Sequence, residues 1–194
     1  QSTKNEINNI ILNLENLLDT QIPFQKYSLK KIDKKYFIES KKLLPNENYI
    51  GFSITQGNEY RKKSWSLKNF INIAKKMKIK GKIPVFFIEK TNIELINMIK
   101  KEVDDVLIPE LETILSGPPL VSALSTRLEK IISIDNGIMH MAGLANVPMV
   151  VLFGPTNSKK FSPKINDLKI LDSKLIYNSN NILKITEEDV LRLI

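Results

Sequence analysis

Apolar residues follow two alternating patterns along this chain: short unbroken runs, and longer stretches in which they recur every three or four positions. The unbroken runs predict buried strands, and the periodic stretches predict amphipathic helices. We expect strands at residues 49–54, 83–88, 106–108, 131–134 and 149–153, with an edge strand at 168–171. We expect helices at residues 5–19, 33–44, 67–78, 91–101, 120–128, 138–145 and 187–194.

Strands and helices alternate from residue 49 onward, an order typical of an α/β fold with a parallel, doubly wound sheet. Two helices precede it, so we expect a helical arm over residues 1–48 and a Rossmann-like domain over residues 49–194. Ser66 is the expected N-cap of the helix at 67–78, and Gly81 follows the end of that helix. Thr186 and Asp189 have the spacing of a capping box for the final helix.

Length and composition limit the class of protein. With 194 residues, of which 42% are hydrophobic, the chain can form one domain with its own core. It has no apolar run near the roughly 20 residues of a membrane-spanning helix, and its polar start without Met suggests a fragment of a longer protein. The absence of cysteine excludes disulfides and thiolate metal sites and fits a cytoplasmic protein. The single histidine excludes a metal site of several histidines.

The formal net charge is +8 at neutral pH. We interpret it mainly as a solvated basic face, because aromatic residues do not alternate with the basic ones as they would on a base-stacking surface. We therefore expect no nucleic-acid partner. A basic surface still favours anionic substrates or an anionic membrane surface.

The segment at residues 131–155 predicts the position of a site. Its first apolar run ends at Asp135, Asn136 and Gly137, a short helix follows, and Pro148 then returns the chain to an extended strand. Such a strand–turn–helix unit directs the first N–H groups of its helix into the space beyond the strand's carboxyl end. In α/β proteins that space binds anions and nucleotides.

Two further groups follow predicted strands. Thr55, Gln56 and Gly57 begin a polar loop that continues to Lys63, and small residues with a lysine suit phosphate binding. The alternative is an ordinary basic surface loop anchored in the core by Trp65. Glu94 follows the next strand and could accept hydrogen bonds from both hydroxyls of a ribose.

Structural roles compete with these interpretations. The spacing of Thr91 and Glu94 is that of a capping box, which is the stronger interpretation without other evidence. Asp135 or Asn136 could simply cap the helix, and Gly137 could simply supply a positive φ. A single histidine on a helix, such as His140, is more often a packing residue than a catalyst.

The segments around this turn resemble glycosyltransferase family 9, the heptosyltransferases. The run DNGIMHMA at residues 135–142 is similar to the family's D-T-G-x-x-H-x-A, and PMVVLFGPT at 148–156 is similar to its P-x-x-x-L-F-G-P-T. The sequence K-x-W at 63–65 is similar to the family's K-x-W-P element, and Glu94 falls where its donor-binding Glu is expected. Residues 118–128 resemble the segment before the signature, so the resemblance extends over nearly the whole chain.

The resemblance implies a GT-B fold, in which two Rossmann-like domains close over a nucleotide sugar, and it implies that this chain is the C-terminal, donor-binding half with the interdomain arm. Lys63 and the amides around Gly137 would neutralise the diphosphate, Asp135 would orient the donor, and His140 would support that loop. Main-chain groups near Leu120 would flank the base. The full set of expected donor-binding residues is Thr55, Gln56, Gly57, Lys63, Glu94, Leu120, Asp135, Asn136, Gly137 and His140.

The same resemblance implies transfer of a sugar from a nucleotide-diphosphate donor, ADP-heptose, to a lipopolysaccharide or another bacterial cell-envelope glycan. It implies neither a metal nor a cofactor besides the nucleotide-sugar substrate. The general base is expected in an N-terminal GT-B domain, so this chain alone should be inactive. A cytoplasmic protein with peripheral contact to the inner membrane fits the acceptor. A non-catalytic nucleotide-binding module and a nucleotide-sugar epimerase remain the alternatives.

The chain departs from the family pattern at two positions. Asn136 stands where the family usually has Thr, and Ser66 stands where it usually has Pro. The glycine-rich pattern near residues 53–57 is matched only loosely, so the choice between Thr55 and Gln56 as the phosphate contact stays open.

Overall fold

The computed structural model describes residues 5–23, 28–57 and 59–194, except the side chain of Glu59, and within them five strands form one sheet. The strands are β1 (Tyr49–Ser53), β2 (Ile83–Phe87), β3 (Leu128–Ile134), β4 (Met149–Phe153) and β5 (Leu168–Asp172). Their order is β2-β1-β3-β4-β5, and every neighbouring pair is parallel. The predicted α/β class, the parallel sheet and the edge position of β5 are confirmed.

Helices cover both faces of this sheet. They are α1 (Glu6–Leu18), α2 (Lys34–Leu43), α3 (Leu67–Ile79), α4 (Ile93–Glu102), α5 (Pro118–Ser125), α6 (Gly137–Leu144), α7 (Ser158–Phe161), α8 (Ser173–Tyr177) and α9 (Glu187–Leu191). Because successive strand residues point to opposite faces, the core divides in two. Phe52 packs with Phe70 on the α3 side, whereas Tyr49 belongs to the cluster that contains Leu124 of α5.

Position 51, in the middle of the sheet, has no room for a side chain, and glycine stands there. A Cβ there would lie 2.7 Å from Leu128 Cδ1 and 3.0 Å from Ile131 Cγ1 of the neighbouring strand. Glycine therefore allows β1 and β3 to pair with large apolar residues on β3. This pairing brings the carboxyl ends of the two strands together.

The predicted strands agree with the observed ones to within a few residues, with one exception. Residues 106–108 do not form a full strand; Leu107 makes a single parallel bridge to Val85 beside β2. Its N–H donates to the Pro84 carbonyl at 3.0 Å, and its own carbonyl accepts from Phe86. This bridge continues the sheet by one residue at the β2 edge.

Two helix starts differ from the predictions because stronger start signals lie nearby. The predicted capping box of Thr91 and Glu94 is wrong: the N-cap of α4 is Asn92, whose Oδ1 accepts from the Leu95 N–H at 3.4 Å. Asparagine is a better N-cap than threonine. The helix predicted at 120–128 instead begins at Pro118, since proline fits the first turn of a helix.

The remaining caps mostly follow the predictions. Thr186 and Asp189 form the capping box of α9, although that helix ends at Leu191. Ser66 is the N-cap residue of α3 by position but makes no side-chain cap hydrogen bond, and Gly81 follows α3 with φ of 76°. The short helices α7 and α8 were not predicted from the sequence, because neither is long enough to display helical periodicity.

The two helices before the sheet differ in how they attach to it. α2 packs against α5, and Leu44 just after α2 is fully buried in the core. α1 contains no buried residue and contacts the rest of the chain through polar groups, with Glu6 3.0 Å from Lys160. Residues 1–4 and 24–27 of the predicted arm lie outside the described residues, and the division at residue 48 stays a prediction. No helix in the described part of the chain is long and apolar enough to cross a bilayer.

Candidate functional site

The order of the strands creates a crevice between β1 and β3. From β1 the chain continues to β2 on one side, whereas from β3 it continues to β4 and β5 on the other side. The connections therefore diverge at this point, and ligands of open α/β sheets bind in such a crevice beyond the strands' carboxyl ends. Ser53 and Ser133 are paired at the end of the two strands, and the predicted site residues follow them.

Lys63 and Asp135 meet inside this crevice. Lys63 Nζ lies 2.5 Å from Asp135 Oδ2, and only 11% and 6% of the two side chains are exposed. The same ammonium lies 3.4 Å from the Asp135 main-chain carbonyl. The structure thus brings together two of the predicted site residues, which are 72 positions apart in the sequence.

The loop that carries Lys63 is anchored in the core and also extends into the crevice. Gln56 Oε1 accepts from the Lys63 N–H at 2.8 Å, which closes the loop and directs the lysine side chain toward β3. Trp65 is buried and donates from Nε1 to the Ile185 carbonyl at 2.9 Å, so it anchors the end of the loop in the core. Trp65 can therefore anchor the loop in the core while Lys63 of the same loop lies in the crevice.

Asn136 is the N-cap of α6. Its Oδ1 accepts from the Met139 N–H at 3.0 Å, and its Nδ2 donates to Ser53 Oγ and to the Thr55 carbonyl. Gly137 and Ile138 follow, and N–H groups in these first positions have no acceptor within the helix. Gly137 does not have a positive φ, so that explanation of the glycine is wrong. Its lack of a side chain leaves the first turn of α6 open to the crevice.

His140 lies on the first turn of α6 beside the Lys63–Asp135 pair. Partial burial lowers the pKa of its imidazole below the usual value. The negative charge of Asp135 acts against that lowering of the pKa, and the positive charge of Lys63 adds to it. The residue as a whole is exposed, so it is not the packing residue that a single helical histidine usually is.

Two adjoining cavities lie next to this cluster, with Gln56 lining both and Asn136 lining one. The larger, about 430 Å³, is lined by Thr55, Gln56, Gly57, Glu89, Asn92, Asn136, Gly137, Ile138 and Met141. The smaller, about 240 Å³, shares Thr55, Gln56 and Asn92 and continues toward Trp65, Phe70 and Leu95. A polar crevice with an apolar extension suits a ligand with an anionic part and a flat part.

Two polar residues that line the larger cavity, Glu89 and Asn92, were not predicted. Both follow β2 closely, at the same edge of the sheet as the rest of the cluster, and that position was the available signal. Glu89 also lies near Glu110, whose pKa is raised first by burial and then by the Glu89 charge.

Five of the ten predicted residues line neither cavity: Lys63, Asp135 and His140, which lie together beside the cavities, and Glu94 and Leu120. Glu94 is on the first turn of α4, is exposed, and lines neither cavity. Leu120 is fully buried in the core, so its side chain cannot contact a ligand, and its N–H donates to the Gly117 carbonyl. Among the described residues, no three His, Asp or Glu side chains are grouped so that they could hold a metal ion.

Solved structures with the same fold include three glycosyltransferases. A family 9 glycosyl transferase from Veillonella parvula DSM 2008 is 21% identical, with a TM-score of 0.79, and the match covers 99% of this chain and 59% of that one. The E. coli heptosyltransferase WaaC with ADP is 11% identical, with a TM-score of 0.71 and coverage of 99% and 56%. E. coli ADP-heptose lps heptosyltransferase II is 19% identical, with a TM-score of 0.63 and coverage of 84% and 50%.

These likenesses establish the fold, and the chain spans between 50% and 59% of the length of the three structures. No curated protein sequence matches the chain. The sequence model of glycosyltransferase family 9 (heptosyltransferase), however, matches residues 9–188. Because that match spans nearly the whole sequence, this chain belongs to glycosyltransferase family 9.

Proposed function

We propose that this chain supplies the donor-binding half of a glycosyltransferase that moves a sugar from a nucleoside diphosphate to a glycan of the cell envelope. The observation that carries the proposal is the Lys63–Asp135 pair beside the open first turn of α6, at the point where the connections of the sheet diverge. The donor that fits best is an ADP-sugar, ADP-heptose, because a relative of the same family and fold binds ADP. The acceptor is a lipopolysaccharide or a related glycolipid.

The diphosphate binds between Lys63 and the start of α6. The N–H groups of Gly137 and Ile138 and the partial positive charge of the helix N-terminus favour an anion here. Lys63 adds a positive charge beside the start of α6, and Asp135 keeps its ammonium oriented. Both contributions strengthen as the sugar departs, because the leaving diphosphate then gains negative charge.

The ribose lies near the carboxyl end of β2. Glu89 lines the larger cavity there, whereas Glu94 does not. We therefore propose Glu89 as the carboxylate that accepts the ribose hydroxyls. Asn92, which lines both cavities, lies on the path from the ribose toward the base.

Sugar transfer also needs a base that takes the proton of the acceptor hydroxyl. His140 lies beside the Lys63–Asp135 pair, close enough for both charges to act on its pKa, so we assign it a supporting role in donor binding. We propose that the base belongs to the other half of a GT-B protein, and that this chain binds donor without transferring sugar.

Calorimetry with ADP, UDP and adenosine tests the proposal. We expect ADP to bind more tightly than adenosine, and Lys63→Met to weaken ADP binding by tenfold or more while adenosine binding changes little. Lys75→Met is the matched control, because Lys75 forms a comparable pair with Glu102 at 2.7 Å on the exposed surface. Equal affinity of the wild type and Lys63→Met for ADP would remove Lys63 from the site.

A further inference from the structure

The side chain of Asn136 is fully occupied by other protein groups. Its Nδ2 donates to Ser53 Oγ at 2.7 Å and to the Thr55 carbonyl at 2.8 Å. Its Oδ1 accepts from the Met139 N–H at 3.0 Å. A carboxamide has two N–H donors, so no donor remains for a ligand. The sequence alone suggested a donor-binding residue at this position, and the hydrogen bonds indicate a different role.

These bonds connect the two sides of the crevice. Ser53 is the fully buried last residue of β1, and Thr55 lies in the loop that follows it. Asn136 lies on the opposite side, at the start of α6. The ladder between β1 and β3 ends at Ser53 and Ser133, so the Asn136 side chain continues the connection beyond the end of the sheet.

The connection extends toward Lys63 through neighbouring residues. Asn136 binds the Thr55 carbonyl, and the next residue, Gln56, accepts from the Lys63 N–H at 2.8 Å. A displacement of the chain at Thr55 would therefore move the loop that carries the ammonium. Asn136 thus fixes the α6 amides and the start of the lysine loop relative to one another.

We propose that Asn136 is a positioning residue that sets the width of the diphosphate site, an inference that rests on the donor-binding function proposed above. Without it, the loop at residues 55–57 is ordered only when ligand binds, and the cost of that ordering lowers affinity. A threonine, the residue usual in the family's pattern, cannot replace it. A hydroxyl has one hydrogen to donate, so it can cap α6 but cannot reach both Ser53 and Thr55.

The test compares diphosphate and nucleoside binding in two variants that break the connection from either side. Asn136→Thr keeps a cap for α6 and removes both cross-crevice bonds, and Ser53→Ala removes one of them. We expect Asn136→Thr to weaken ADP binding roughly tenfold and Ser53→Ala to weaken it roughly threefold, in line with the loss of one or two net hydrogen bonds. Adenosine binding should change less than twofold in both variants.

Ser125→Ala is the matched control, because Ser125 is equally buried but its hydroxyl donates to Val121 within α5. It should leave the affinity for ADP unchanged. Hydrogen exchange of the residue 54–57 amides gives a second measurement, and we expect it to accelerate in Asn136→Thr and not in Ser125→Ala.

Two results would overturn the positioning role: unchanged ADP affinity in Asn136→Thr, or equal loss for ADP and adenosine, which would indicate general destabilisation. If the proposed donor-binding function is wrong, the experiment gives a different result. In that case the wild type itself would bind no nucleoside diphosphate, whether ADP, UDP or GDP, and both proposals would fall together.

Discussion

Lys63 Nζ lies 2.5 Å from Asp135 Oδ2, with only 11% and 6% of the two side chains exposed. Two opposite charges removed from water in this way are costly to separate, because either partner alone becomes a buried, unpaired charge. A diphosphate that enters the crevice would meet an ammonium already oriented by Asp135. The pair therefore links the stability of the empty crevice to the binding of its ligand.

Breaking this pair should destabilise the fold far more than breaking a surface pair. We expect Lys63→Met to lower the free energy of unfolding by about 3 kcal/mol, measured by urea unfolding at pH 7. The surface change Lys75→Met should cost less than about 1 kcal/mol, because water screens the exposed Lys75–Glu102 pair. Similar losses in the two variants would mean that the Lys63–Asp135 pair is solvated in solution.

A comparison of two glutamates tests the proposal that Glu89 binds the ribose. We expect Glu89→Gln to weaken ADP binding roughly tenfold and Glu94→Gln to leave it nearly unchanged, because Glu89 lines the cavity and Glu94 does not. A carboxylate accepts stronger hydrogen bonds from hydroxyls than an amide does. Calorimetry should also detect a smaller effect of Glu89→Gln on the binding of 2′,3′-dideoxy-ADP. A larger loss of ADP affinity in Glu94→Gln than in Glu89→Gln would instead assign ribose binding to Glu94.

The small volume around Gly51 gives a prediction about the sheet. Gly51→Ala places a methyl group 2.7 Å from Leu128 Cδ1, and such overpacking typically costs 1–3 kcal/mol. Gly57→Ala is the control, because an added Cβ at Gly57 meets no atom within 4 Å. Urea unfolding should give a lower midpoint for Gly51→Ala and nearly the wild-type midpoint for Gly57→Ala. Equal midpoints would mean that β1 and β3 shift apart without cost.

The strands were predictable because burial on both faces leaves an unmistakable run of apolar residues, as in β4 with all five of its residues buried. Helix starts were harder, since several residues near a start can serve as the cap. Asn92 instead of Thr91 begins α4 because the choice depends on which backbone N–H the side chain reaches.

The candidate site was predictable where its residues follow strands directly, as Asp135 follows β3. The ion pair between Lys63 and Asp135 was not predicted, because a sequence does not reveal contacts between distant loops. For a related reason, Glu94 was predicted although it lines neither cavity, and Glu89 was not predicted although it lines the larger one. A pattern of spacing cannot tell which face of the first turn of a helix is directed toward the cavity.

His140 makes the stability of the fold depend on pH, and the sign of this dependence follows from the burial of its imidazole. Its pKa is lowered in the folded protein, so the unfolded chain binds the proton more tightly than the folded chain does. The corresponding stability is present above the ordinary pKa of histidine and is lost as the pH falls toward the lower, folded pKa. We expect the urea midpoint of the wild type to fall between pH 7 and pH 5.5, and to fall less in His140→Gln.

The half-buried Glu110 must be controlled in this experiment, because its pKa is raised and its contribution has the opposite sign. A carboxyl with a raised folded pKa is relieved by protonation, so it increases stability as the pH falls. The comparison of wild type with His140→Gln is therefore best repeated in a Glu110→Gln background. There the urea midpoint should fall more steeply between pH 7 and pH 5.5. His140 is the one histidine of the sequence, so an identical fall with and without it would mean that its ring is as solvated in the folded state as in the unfolded chain.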